Sequence, residues 1–185
     1  MLITDVSGHG VPTALIASMV KLAATSQRDN AADPSGLLAG MNAALLGNTQ
    51  NQFVTAAYVH LNSETHELRY SAAGHPPLPL LRKGAITQIE ENGLMLAAFD
   101  FAQYSNAAHP LEAGYRILLY TDGVVEAANP SGDFLGQDAL CVLLQQTAVL
   151  QPAEAADRII SSGQEWSPTQ DDDMTVLVCD YQGTA

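Results

Sequence analysis

The chain has 185 residues, of which 47% are hydrophobic, enough for one sizeable core, and the expectation is a single domain spanning residues 1–185. Its 20 acidic and 7 basic residues leave a formal net charge of −13, which argues against a nucleic acid or an anionic membrane as the main partner, since both need a basic face. The two cysteines, Cys141 and Cys179, exclude a disulfide framework and a cysteine zinc site, and no apolar run approaches the ~20 residues of a membrane helix, so a cytoplasmic protein is expected.

The first run, Met1-Leu2-Ile3-Thr4, reads as a strand that ends in Asp5-Val6-Ser7-Gly8-His9-Gly10. An acid at a strand end can point out of the sheet edge, and the glycines let backbone approach whatever it holds. On its own this pattern is more often a plain strand-to-helix turn, and His9 by itself reads as a turn residue. From Val11 to about Ser26 the residues Leu15, Ile16, Met19, Val20, Leu22 and Ala23 predict a well-buried helix with Pro12 in its first turn. Its first N–H groups could help hold an anion near Asp5. A second helix is predicted from Asp33-Pro34-Ser35 to Gly47-Asn48.

The pattern then changes to that of strands. Phe53 to Leu61 and Leu68 to Ala72 form a predicted antiparallel hairpin around the polar turn from Asn62 to His66. Ala73-Gly74-His75-Pro76-Pro77 interrupts it, and strands follow at Leu78 to Leu81 and Ile86 to Ile89 around Arg82-Lys83-Gly84. The stretch from Asn92 to Ala108 is the least legible, with a strand expected at Phe101 to Ala107. The apolar run Ile117 to Thr121 is a strand ending at Asp122-Gly123. Val124 to Asn129 leads to a turn at Pro130-Ser131-Gly132-Asp133. Helices are predicted from about Gln137 to Gln146 and from about Pro152 to Ser162, with Trp166 packed behind the second, and Asp171-Asp172-Asp173 opens a last strand from Met174 to Tyr181. Helices and hairpins segregated in blocks predict an α+β sandwich, with antiparallel sheet inside and helices outside.

Three acids, Asp5, Asp122 and Asp172, thus stand at three predicted strand ends. Thr121-Asp122-Gly123 taken alone is more often a tight turn, and Asp171 to Asp173 a solvated acidic one. Carboxylates gathered without Cys or a His set favour hard cations such as Mg²⁺ or Mn²⁺. Such clusters serve phosphoester hydrolysis, in which two metals activate water and neutralise phosphate oxygens.

Asp5-Val6-Ser7-Gly8-His9-Gly10, Ala73-Gly74-His75-Pro76-Pro77, the run from Leu119 to Ala127 and Asp172-Asp173-Met174-Thr175 together resemble the ordered motifs of bacterial metal-dependent serine/threonine phosphatases. The likeness is to the type 2C fold in its stage-II-sporulation-E branch, and it covers nearly the whole chain. It implies a four-layer α/β/β/α architecture, a central antiparallel β-sandwich flanked by helices, with two Mn²⁺ or Mg²⁺ ions at one end. By that resemblance Asp5 bridges both metals, the Val6 carbonyl binds one, and Asp122 and Asp172 bind the other. A metal-bridging water would attack the phosphorus of a phosphoserine or phosphothreonine in a partner protein, and in this branch the partner is often an anti-sigma-factor antagonist. Asp173, Gly8, His9 and Gly123 would support the ligands without touching the ions.

The chain departs from the family pattern in one respect: it begins downstream of the Gly-Gly-Asp strands that usually precede the first motif. The expectations are a truncated sheet with an exposed edge that could pair a second copy into a dimer, a weakened second metal site, and a sensor or receiver domain upstream. Two functions follow from different classes. One is a metal-dependent phosphoprotein phosphatase using Asp5, Asp122 and Asp172; the other is a phosphatase-like binding module that recognises or scaffolds a regulatory protein without turnover.

Overall fold

Alternating and continuous apolar runs close into two separate four-stranded antiparallel sheets in the computed structural model, which describes residues 1–50, 52–169 and 172–183. Each sheet belongs to its own compact unit. The first unit is built from Met1–His75 and Glu90–Pro110, the second from Pro76–Ile89 and Leu111–Ala185, so the chain crosses between them three times. The α+β class and antiparallel sheets expected from the sequence are found.

In the first unit, strands β1 (Leu2–Val6), β2 (Val54–Asn62), β3 (Glu67–Ala73) and β6 (Ala107–Pro110) lie in the order β1-β2-β3-β6. The register pairs Asp5 with Thr55 and Val6 with Val54. Helices α1 (Val11–Ser26) and α2 (Pro34–Leu45), joined by a 3₁₀ turn at Arg28–Asn30, bury Ile16, Val20, Leu38 and Met41 against Val54, Ala56 and Ala73. Fully burying each such aliphatic side chain contributes about 1.5–3 kcal/mol.

Helix α1 has the predicted bounds but is only partly buried. Ile16, Val20 and Ala23 face the core, whereas Leu15 is 63% and Leu22 70% exposed. A helix apolar on most of its circumference carries no unique core stripe, and only the row that meets α2 and the sheet is covered. The expected strand at Phe101 to Ala107 is also corrected. Phe99 and Phe101 stack with centroids 5.3 Å apart in irregular chain, and β6 forms only at Ala107–Pro110. Tyr104 fills the space over Gly93, where a Cβ would stand 2.7 Å from its ring, and burial pushes the Tyr104 phenol up to about 12.

In the second unit the order is β5-β4-β7-β8, from β4 (Leu78–Arg82), β5 (Ala85–Ile89), β7 (Tyr115–Tyr120) and β8 (Val176–Tyr181). Ile117, Leu118, Leu119 and Tyr120 are all buried, so both faces of β7 are covered, which is why this strand reads as an unbroken apolar run. Helices α4 (Gly136–Gln146) and α5 (Pro152–Trp166) add Leu140, Leu144 and Ile159 to the core around Leu118 and Val124. Residues Asp122–Val125, read from sequence as a strand end at Asp122-Gly123 and the start of a run from Val124 to Asn129, form the short helix α3 instead. Helix α5 runs to Trp166, four residues past its predicted end; the indole is 39% exposed and donates to the Asp133 carbonyl at 3.0 Å. Among the described residues no helix is long and apolar enough to cross a membrane.

Candidate metal centre

Antiparallel pairing of β7 with β8 sets the C-terminal end of one strand beside the start of the other, with Tyr120 opposite Val176. The ladder continues one step beyond both strands, where the Thr121 N–H donates to the Thr175 carbonyl at 3.0 Å. Asp122 follows immediately on one side, and Asp172 precedes the same point on the other. One carboxylate oxygen of Asp122 and one of Asp172 lie within 4.8 Å of each other. Asp122 is half-buried and Asp172 exposed. Asp171, in the same acidic run, lies outside the described residues.

Each acid is oriented by its own successor. The Gly123 N–H donates to Asp122 Oδ1 at 3.0 Å, and the Asp173 N–H donates to Asp172 Oδ1 at 2.8 Å. Thr121, which sequence reasoning missed, fastens the two loops together. Its buried hydroxyl donates to the Asp173 carbonyl at 3.0 Å and accepts the Thr175 N–H at 2.9 Å. A threonine at a strand end reads locally as one more β-branched residue, and its partners lie 52 and 54 positions away, so no nearby pattern announces the role. Gly123 is a matter of space: a Cβ there would stand 2.5 Å from the Asp173 carbonyl oxygen. Burial also drives the Tyr120 phenol far above its ordinary range, so the strand end behind Thr121 stays uncharged.

Asp5 sits in the first unit at the C-terminal end of β1, half-buried, with Thr55 as its cross-strand neighbour. Thr55 Oγ1 is 3.2 Å from His75 Nδ1. His75 is 3% exposed, and Asn92 holds its backbone from both sides, donating to the His75 carbonyl at 2.8 Å and accepting its N–H at 3.3 Å. His75 is therefore packed against Thr55 of β2, the residue paired with Asp5. Val6 ends β1, and the Ser7 N–H and hydroxyl bond the Phe53 carbonyl and N–H, both at 3.0 Å, fixing the exit of the chain. Gly8 has φ of +92°, and a Cβ there would press on the Gln52 amide; His9 is exposed beside it.

The donor chemistry of Asp122 and Asp172 suits a hard divalent cation. Two carboxylates this close repel each other, a divalent ion relieves that repulsion, and their oxygens are the ligands such ions take. Cysteine and histidine have no part in the pair, which disfavours zinc.

A family model described as "Stage II sporulation protein E (SpoIIE)" matches residues 1–182. Phosphoserine phosphatase RsbU of Bacillus subtilis (strain 168) is 31% identical over 180 residues, which are 95% of this chain and 53% of that protein. The chain thus spans about half the length of this curated relative. Among solved structures, the SiaA-PP2C domain of Pseudomonas aeruginosa superposes with a TM-score of 0.87 at 22% identity, covering 98% of this chain and 75% of that one. The catalytic domain of serine threonine protein phosphatase PstP, in complex with two manganese ions, superposes with a TM-score of 0.75 at 18% identity, covering 97% and 86%. At these identities the two structures establish a shared fold.

Proposed function

Since the chain belongs to the stage II sporulation protein E family, we propose that it is a Mn²⁺- or Mg²⁺-dependent phosphoprotein phosphatase. In this reading its two compact units work as one catalytic domain in the cytoplasm. The substrate is phosphoserine or phosphothreonine on a regulatory partner protein, of the anti-sigma-factor-antagonist kind. The observation that carries the reading is the Asp122–Asp172 pair, two carboxylates held within 4.8 Å at the joint end of β7 and β8. The relative named phosphoserine phosphatase and the fold neighbour with two manganese ions support the substrate class and the metal.

Asp122 and Asp172 would hold a divalent ion, and Asp5 with the Val6 carbonyl would supply the remaining protein ligands of the set. Bound, such ions supply Lewis acidity: they neutralise phosphoryl oxygens and lower the pKa of water. The residues do the positioning. The Gly123 and Asp173 N–H groups fix the planes of the two carboxylates, and Thr121 ties their loops so that the spacing survives the mutual repulsion of two negative charges. Neutralising the phosphate charge would be left to the ions, since none of the seven basic side chains matches a phosphate-clamp motif. Gly8 and His9 lie at the turn that delivers Asp5 and shape its approach.

Isothermal titration with Mn²⁺ and hydrolysis of an aryl phosphate, run on the parent, Asp122→Ala and Asp5→Asn, test the reading. The parent binds Mn²⁺ and turns over; Asp122→Ala weakens Mn²⁺ by more than about 100-fold and abolishes turnover, and Asp5→Asn loses turnover. An Asp122→Ala protein that binds Mn²⁺ like the parent would refute the ligand assignment. Tight Mn²⁺ binding without turnover in the parent would favour a module that recognises its partner without hydrolysis.

A further inference from the structure

Beside Asp172 the second unit holds a cavity of about 200 Å³, walled by Gly123, Ala127, Phe134 and Met174 with Glu126 among its lining residues. Its size is below the roughly 300–1,000 Å³ of pockets that take whole small molecules, and suits one side chain. The walls are mainly apolar, Glu126 is exposed, and among the described residues no Lys, Arg or His lines the cavity. Phe134 leaves 61% of its surface exposed.

The pocket is built rather than incidental. Phe134 is bridged to Ala128, and the intervening turn is closed by the Asn129 N–H on the Asp133 carbonyl at 3.0 Å. The Asn129 side-chain oxygen accepts the N–H groups of Ser131 and Asp133, both at 2.9 Å, and the Trp166 indole clamps the Asp133 carbonyl from α5. The exposed ring is thus presented at little cost in ordering.

An apolar channel with an exposed aromatic face and a carboxylate is complementary to a side chain with an aliphatic stem and a cationic head. We propose that this cavity is a specificity pocket that takes a lysine or arginine of the phosphoprotein substrate, close in sequence to the phosphorylated residue. The stem lies along Phe134 and Met174, and the head meets Glu126. The proposal rests on the phosphatase reading and deepens it. Because Asp172 forms part of the wall, an extended chain advancing about 3.3 Å per residue places the basic residue within about two positions of the phosphoserine. The chain's charge of −13 favours such a partner at longer range.

The test is the affinity of fluorescein-labelled phosphoserine peptides that differ at one position, Lys, Ala or Glu, scanned from two residues before the phosphoserine to two after. Binding is read by anisotropy in Mn²⁺ at 0.15 M salt, beside aryl phosphate turnover by the parent. At the best position the Lys peptide binds about tenfold more tightly than the Glu peptide. Glu126→Gln erases most of the Lys preference, and Phe134→Ala weakens Lys and Ala peptides together. Equal dissociation constants for the three peptides at every position, or a Lys preference that survives Glu126→Gln, would overturn the pocket. A Lys preference in a parent without turnover keeps the pocket and sinks the phosphatase; turnover without the preference does the reverse.

Discussion

Replacing Gly123 by alanine isolates what the carboxylate pair depends on. Gly123 lies in helix α3 with ordinary helical backbone, so by local propensity alone alanine would stabilise by about 0.5–1 kcal/mol. The added Cβ, however, would stand 2.5 Å from the Asp173 carbonyl oxygen and 3.1 Å from its carbon, both backbone atoms that cannot rotate aside. Reaching ordinary contact at 3.4 Å requires the 172–173 loop to retreat by about 0.9 Å. Overpacking of this kind costs about 1–3 kcal/mol, and the retreat also stretches the Thr121 hydroxyl bond, at about 1 kcal/mol. Sterics win, and Gly123→Ala is expected to lose about 2 kcal/mol in urea denaturation. On the proposed reading of the site, the larger effect falls on Mn²⁺ binding. Ligand positions are tolerated within about 0.2 Å, so a shift several times larger weakens Mn²⁺ by about 10–100-fold in isothermal titration. Mn²⁺ affinity within twofold of the parent, with the stability loss present, would show that Asp172 is no ligand or that its loop adapts freely.

Two further substitutions probe the units separately. Arg116, 5% exposed, donates twice to Asp180, at 2.7 and 2.8 Å, and also to the carbonyls of Thr147 and Leu150. Arg116→Ala leaves a carboxylate and two carbonyls without their donor, and a loss of about 3 kcal/mol is expected by urea denaturation. In the first unit, the Asn106 amide and then the Ser35 hydroxyl hold the Asp33 carboxyl below its usual range. A group depressed in the folded state contributes stability above its unfolded pKa of 3.8 and loses it as pH falls through the folded value. Asn106→Ala should therefore destabilise at pH 7 by an amount that narrows below about pH 4; a gap that does not change with pH would show that the carboxylate is not the partner that matters.

Long runs with one clear period were legible. The bounds of α1, the hairpin of β2 and β3, and the apolar β7 follow from spacing that only one element satisfies. The stretch before β6 was not, because Phe99, Phe101 and Tyr104 have strand-forming side chains that the fold uses for loop packing. Tertiary contact overrides β-propensity there. Burial of α1 was misread for a related reason: period shows which residues share a face, and not how much of that face a neighbour covers. At the site, the acids were legible because a carboxylate after a strand is a local feature. Thr121 was not, since its partners come from the far side of α4 and α5 in sequence.

The threefold crossing of the chain between units has a consequence for synthesis. The first sheet is complete once β6, ending at Pro110, has left the ribosome, but the β4–β5 hairpin must by then be carried as an excursion whose sheet does not yet exist. That hairpin waits for β7, and β7 waits for β8 at Val176–Tyr181. For the translation of some 70 residues, at about 5–20 residues per second, apolar strands of the second unit remain without their neighbours. This interval of several seconds is when a chaperone would find the chain, and when overexpression would send it into aggregates. No single cut of the backbone separates the units, so neither can be obtained as one uninterrupted natural segment.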